Sequence, residues 1–352
     1  MSVKHLATAL EAGRNIYTEL SRPRRSSRPS LQPVDQLTLT RDIPCYSTGS
    51  GVFALEFMPD SDYVAAGYGN GAIGIYGVST GKQKAIMQTS VDGLPVTCIR
   101  SCPADDQLIA ASSSDGSVTI WNTVGAKKVE SVIQPGNEIN AVDYCSDGTC
   151  YATAGKNARI VVYDSLTNGI QLEIEAADED SVDVMKSGHS QRIFALRFHP
   201  QHKSIFVTGG WDRCIKVWDV RDGNVIASLP GPYICGDAID IQGNDILTGS
   251  WKAKDALQIW DMGTTKVVES LLLPDVTATQ FFYCARFCDG SRAVAAGGSG
   301  TNALHVLRRL SHEEIGTIEG GRKVVQAMAT NAGGLRLASG GLGRNISLAT
   351  LS

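Results

Sequence analysis

His189, Thr208 and Asp212 are the residues of this chain best suited to chemistry, because an imidazole between a hydroxyl and a carboxylate is the set that activates a nucleophile. The glycine-rich stretch G-Y-G-N-G at Gly67 to Gly71 has the composition of a phosphate cradle, but no helix is expected after it. G-V-S-T-G-K at Gly77 to Lys82 is too short for a P-loop, and Gln83 stands where Ser or Thr is required. The chain has nine cysteines, and Cys98/Cys102 and Cys284/Cys288 are spaced C-x3-C. No paired histidines follow them and no H-E-x-x-H occurs, so neither a metal nor a cofactor is expected. Free thiols buried on strands, in a reducing cytosol, are the expectation.

The elements that carry these residues repeat. Thr208 to Asp219 reads T-G-G-W-D-R-C-I-K-V-W-D, and its ending recurs as I-G-I-Y at Tyr76, V-T-I-W-N at Trp121, I-V-V-Y-D at Tyr163 and L-Q-I-W-D at Trp260. The steps between these aromatics are 45, 42, 55 and 42 residues. A period near 42 with a terminal W-D is the mark of β-propeller blades, each of four antiparallel strands with the W-D closing the third. The period continues to Leu307 and Ala349, at steps of 47 and 42, where no aromatic remains. Seven blades result. The last lacks a fourth strand, and residues 36–43, Q-L-T-L-T-R-D-I, alternate in a way that lets them supply it and close the ring. A six-bladed ring with residues 36–43 outside it is the other arrangement.

The run around Trp218 resembles the WD-repeat family. In that family a His, a Ser or Thr, an Asp and a Trp form a buried hydrogen-bond relay across a blade. The resemblance places His189, Thr208, Asp212 and Trp218 in that structural role, over a chain segment of about residues 36–352. Physically, a turn Asp accepts from a His ring and from turn amides, and an indole N–H donates to the hydroxyl. Other blades keep parts of the set: Asp115 with Trp121, Asn70 with Tyr76, Asn157 with Tyr163. The resemblance implies a fold and a non-catalytic role, and leaves the activity open.

Charge is uneven. Net charge is −4, yet residues 1–34 carry +4 and the remainder −8. Residues 3–20 place Val3, Leu6, Leu10, Tyr17 and Leu20 on one helical stripe, weakened by Gly13. Residues 21–33, S-R-P-R-R-S-S-R-P-S-L-Q-P, are expected to be extended. The division is therefore 1–34, an amphipathic helix with an Arg/Pro linker, and 35–352, the propeller. Leu6, Leu10 and Tyr17 with Arg22, Arg24, Arg25 and Arg28 form a docking arm for an acidic partner such as tubulin tails, or a tail without function. Ser26 and Ser27 are kinase-target candidates there. Arginines without interleaved aromatics disfavour nucleic acid. No stretch is apolar for the ~18 residues a membrane span needs, and no secretory signal is expected.

Trp211 and Trp251 fall in the turns between second and third strands of adjacent blades, with Tyr233 and Phe281 entering blades on the same rim. Arg192, Arg213 and Lys252 are interspersed. Large aromatics with cations on a rim are the composition of a partner-binding surface; the alternative is that the indoles fold inward over the channel mouth. Glu173 to Asp183 is an acidic insertion, either solvated or a contact for a basic segment. W-D-V-R at Trp218 to Arg221 resembles the motif by which some WD-repeat proteins dock to cullin-type ubiquitin ligases. The sequence thus reads as an all-β, seven-bladed propeller that is a non-enzymatic scaffold in a multi-protein assembly, cytoplasmic and of a cytoskeletal or ciliary kind. A ubiquitin-ligase substrate receptor is the second reading.

Overall fold

The third strand of each repeat ends on a side chain that fills the space between two blades, and this packing explains the period. The structure is a computed structural model that describes residues 34–45, 50–90, 92–177, 187–273, 279–343 and 345–352. Seven four-stranded antiparallel sheets occupy residues 52–88, 96–133, 139–174, 193–230, 239–271 and 281–319, with the seventh at 325–351. The segments expected to form the N-terminal helix and linker lie outside the described residues.

Trp218 packs with Ile160 and Val162 of blade three, and Trp260 with Ile215 and Val217 of blade four. Leu307 packs the same way on Leu257 and Ile259 of blade five, and Ala349 on Leu304 and Val306 of blade six. The position is set by the apolar contact, so the repeat persists after the aromatic ring is gone. Second and third strands are covered on both faces by neighbouring blades and are buried along nearly their whole length. The outer fourth strands, such as Lys127–Ile133, are mostly exposed.

Leu37–Pro44 forms the outer strand of blade seven. It runs antiparallel to Asn345–Leu351, with Leu37 opposite Leu351 and Ile43 opposite Ile346. Ser352 and Gln36 exchange backbone hydrogen bonds of 3.0 and 3.1 Å, and Arg308 of blade six holds Asp35 at 2.7 Å.

Each first strand lines the axis. In six of the seven sheets the register shifts near the start of that strand, a bulge that turns one side chain toward the channel mouth. Deeper in the channel the equivalent positions read Glu56, Arg100, Asp143, Arg197, Asp240, Arg286 and Ala329 around the ring. Acid and base alternate, so like charges are not neighbours. Each acid also ties its blade to the next. Glu56 accepts from Ser101 N–H at 3.1 Å, Asp143 from Phe198 N–H at 2.7 Å, and Asp240 from Phe287 N–H at 2.8 Å.

At the opposite end, the turn from first to second strand needs an acceptor for its inward-facing amides. Asn331 Oδ1 takes Leu335 and Arg336 N–H at 3.0 Å in blade seven. Cys145 Sγ takes Cys150 N–H at 3.1 Å in blade three. In blade four His199 Nδ1 takes Gln201 and His202 N–H at 3.1 Å, while Nε2 donates to the Gly243 carbonyl at 3.0 Å. A proton on Nδ1 would face two N–H groups. Burial, and then the neighbouring His202, hold His199 at about 4 against an ordinary 6.5.

As pH falls below 6.5 the unfolded chain takes this proton before the folded one does. The stabilisation is complete above that value and is lost toward pH 4. Melting curves from pH 7 to 4 should therefore show a fall in Tm that is shallower in His199→Asn, which keeps a non-titrating acceptor. Identical pH slopes would show that His199 is not responsible.

Candidate functional site

The T-G-G-W-D turn of blade four builds one end of the site. Gly210 ends the second strand because a Cβ there would lie 2.1 Å from the Arg192 carbonyl of the incoming first strand. Trp211 N–H donates to that carbonyl at 3.0 Å. Asp212 then folds back beneath the turn, accepting from Cys214 N–H at 3.3 Å and Ser190 N–H at 3.3 Å.

His189 Nδ1 lies 2.6 Å from Asp212 Oδ2, and its Nε2 lies 2.6 Å from Thr208 Oγ1. Trp218 Nε1 donates to the same hydroxyl at 2.7 Å. With Nδ1 carrying the proton, each donor in this relay meets an acceptor. Burial alone would raise the Asp212 carboxyl, but the bonds from His189, Ser190 and Cys214 hold it below its ordinary value. Thr208 and His189 are both fully buried, so no substrate reaches the hydroxyl. The set that resembles a nucleophilic triad is a strut.

The other blades show the same strut with parts exchanged. In blade three Gln134 stands where His189 does, and its amide donates to Thr153 Oγ1 and Tyr163 OH at 2.8 Å each. In blade two Ala111 occupies the Thr208 position, and Trp121 donates instead to Thr89, at 3.2 Å, from the preceding loop. Tyr76 pairs with Tyr68 OH at 2.7 Å, and Trp260 with Thr248 at 3.1 Å. Asp115 closes its own turn on Ser117, and Asn70 on Ala72.

Above these struts the aromatics form one arc along the rim. Phe194 and Trp211 have ring centroids 5.3 Å apart, Trp211 and Tyr233 6.4 Å, Tyr233 and Trp251 6.4 Å, and Trp251 and Phe281 5.0 Å. Trp211 and Trp251 are 38% and 42% exposed, so neither indole is folded away in the channel. The Trp211 indole N–H is bound to Cys235 Sγ at 3.3 Å. Arg192 lies over Trp211 at 5.5 Å and over Phe194 at 5.8 Å, and Arg213 over Tyr233 at 5.6 Å. Lys252 sits beside Trp251 in the blade-five turn. Glu138 holds Arg192 at 2.8 Å, which fixes that guanidinium beside the rings, and also pairs with Lys156 at 2.7 Å.

One loop connects this arc to the axis. Gly231 to Asp237 leads into blade five, placing Tyr233 on the rim and Asp237 in the channel mouth. Tyr233 accepts Trp251 N–H at 2.8 Å through its carbonyl. Asp237 takes Arg100 from across the channel at 2.7 Å, binds Arg286, and has Arg197 at 3.9 Å. Burial opposes its ionisation, yet Arg100, Arg286 and Arg197 hold its carboxyl far below the usual carboxylate range.

Sequence reasoning missed Phe194 and Asp237. Phe194 occupies the channel-mouth position of its first strand, shared with Phe53, Thr97, Asn140 and Tyr283, and Asp237 occupies the matching position just before Ile239–Gln242; comparing that position across blades would have exposed them. Leu6, Leu10, Tyr17, Arg22, Arg24, Arg25 and Arg28 lie outside the described residues. So do Asp178, Glu179, Asp180 and Asp183 of the acidic insertion, whereas its Glu175 pairs with Arg159 at 2.7 Å. Arg221 of W-D-V-R is turned onto Asp219, its own neighbour, at 2.9 Å. Among the described residues no helix is long and apolar enough to cross a membrane.

The family model for the WD domain, G-beta repeat, matches residues 82–122 and 182–219, the second of which contains the complete relay. The chain is a WD-repeat β-propeller. Its relatives include nuclear distribution protein PAC1 of Komagataella phaffii, 29% identical over 168 residues, 45% of this chain and 33% of that protein. The U3 small nucleolar RNA-associated protein 21 homolog of Schizosaccharomyces pombe is 24% identical over 63% of this chain and 23% of its own length. Cilia- and flagella-associated protein 52 of Mus musculus is 25% identical over 50% of this chain and 26% of its own length. The matches thus span a third or less of these WD-repeat relatives.

Rim and strut tryptophans should separate on substitution. Trp218→Ala or Trp260→Ala should cost about 3–5 kcal/mol of stability, because each leaves a cavity between blades. The double change Trp211→Ala with Trp251→Ala should leave the melting curve nearly unaltered. If the rim pair melts as early as the strut pair, the arc is a structural element and not a surface.

Proposed function

We propose that this propeller is a non-catalytic scaffold subunit of a multi-protein assembly, and that the arc from Phe194 to Phe281 is its contact for a partner protein. The carrying observation is the continuity of the arc. Five rings from three adjacent blades stand in sequence on one rim, half-exposed, with Arg192 and Arg213 over them. Tryptophan, tyrosine and arginine at the centre of a surface are the residue types that dominate binding energy, because they bury large area at small entropic cost. The cations give the arc a preference for a partner carrying acidic groups beside an apolar anchor.

The relatives' printed names concern nuclear distribution, small nucleolar RNA association, and cilia and flagella. None of these three names describes an enzyme, and membership of an assembly is what we carry over from them. A cytoplasmic setting of the cytoskeletal or ciliary kind rests on the ciliary relative and on the basic N-terminal arm of an otherwise acidic chain. In this reading the arm is a second contact, with its arginines on acidic side chains such as tubulin tails. The ubiquitin-ligase reading gains no support, since Arg221 is engaged by Asp219 within its own turn.

Capture of partners from the native source by the full chain tests both contacts. Trp211→Ala with Trp251→Ala should weaken capture by about 30-fold or more, the equivalent of about 2 kcal/mol. Reversal of Arg22, Arg24, Arg25 and Arg28 to Glu should remove most of the salt dependence of what remains. Capture indifferent to the rim change would overturn the arc as the contact, and capture indifferent to both reversal and salt would remove the arm.

A further inference from the structure

Blade three carries a feature at the end of the propeller away from the arc. Cys145 follows the first strand and Cys150 opens the second, directly opposite each other across the turn Ser146 to Thr149. Cys145 N–H donates to the Cys150 carbonyl at 3.0 Å, and Cys150 N–H donates to Cys145 Sγ at 3.1 Å. Facing residues of an antiparallel pair have Cα atoms about 4.5–5.5 Å apart, within the range a disulfide spans. The other close pairs fail this test. Cys98 with Cys102, and Cys284 with Cys288, lie along single strands, where four residues cover about 13 Å.

We propose that Cys145 and Cys150 are a reversible redox pair, oxidised by peroxide to a disulfide that locks the turn at the foot of blade three.

The position selects for an electron-rich acceptor. Asn331 and His199 fill it in other blades with an oxygen and a ring nitrogen, and in blade three a sulfur receives the amide. A thiolate accepts an N–H better than a thiol does. The Cys150 side chain first, then Thr149 and the Cys150 amide, bring Cys145 down to about 6, against burial and against the Asp147 carboxylate 3.1 Å from its sulfur. The Cys150 thiol is pushed up, first by its bond with Cys145 and then by burial. One sulfur is thus the nucleophile and the other keeps its proton until the second step. Both line a groove of about 400 Å³ with Lys203 and Arg221 at its sides.

The chemistry balances with peroxide as oxidant. The Cys145 thiolate attacks one peroxide oxygen, the O–O bond breaks, and hydroxide leaves as water after taking a proton. Cys150 sulfur then attacks the sulfenic sulfur, its proton and the hydroxyl leaving as a second water. Two thiols are oxidised, one peroxide is reduced, and two waters form. Locking the turn fixes Asp147, which holds Lys203 of blade four at 2.8 Å.

The test is peptide mapping of the full chain after equimolar hydrogen peroxide and then N-ethylmaleimide. The peptide holding Cys145 and Cys150 should lose two hydrogens, resist alkylation and recover both thiols with dithiothreitol. In Cys150→Ser, dimedone should label Cys145. The half-exposed Cys235 is the internal competitor. If Cys145 and Cys150 are both alkylated while Cys235 is oxidised, or if dimedone labels Cys235 and spares Cys145, the proposal is wrong. The wild-type map decides alone should the variant not fold.

Discussion

Three arginines point into one narrow channel, and Asp237 is the group that lets them stay there. Arg100 and Arg286 are 4% exposed and come from separate blades. Without a shared counter-charge they would repel one another across the axis, and an unpaired buried charge costs about 3–5 kcal/mol. Asp237 belongs to a loop and to no strand, so the charge balance of the axis is completed by a connection between blades. That connection also carries Tyr233, the middle ring of the arc. The position of the arc therefore depends on electrostatics at the axis, and the relay beneath Trp211 fixes only its blade-four side.

Two kinds of information were legible in the sequence to different degrees. The blade boundaries were readable because packing between blades imposes a position, the end of the third strand, that recurs even where Leu307 or Ala349 fills it. The relay at His189, Thr208, Asp212 and Trp218 was readable because all four residue types are present in one blade. Blade three was harder, since Gln134 replaces the histidine and chemistry, not identity, is what repeats. The ring from Glu56 to Arg286 escaped notice because a charged residue inside an apolar strand is uninformative within one blade. It becomes a pattern only when seven first strands are set side by side. Phe194 escaped because simple strand alternation does not foresee the bulge that turns it toward the rim. Trp211 and Trp251 were visible as aromatics in turns, but their exposure depended on how far the turns stand above the channel.

The two ends of the molecule differ in character. The rim with the arc has aromatics, stacked cations and a loop tied to the axis. The other end has short turns capped by single acceptors, at Cys145, His199 and Asn331. These are titratable or oxidisable in two cases of three, whereas the one thiol near the arc is Cys235, beneath Trp211. The proposed contact surface and this set of turns are thus at opposite ends of the blades.

Hydrogen exchange of the chain alone, and within the assembly captured from its source, tests most directly that the arc is the partner surface. The account predicts slowed exchange in the bound state at 192–194, 211–213, 233–235 and 251–252, with the turns at 146–149 and 200–203 unchanged. Protection confined to those turns or to the outer strands, with the rim exchanging as in the free chain, would contradict it.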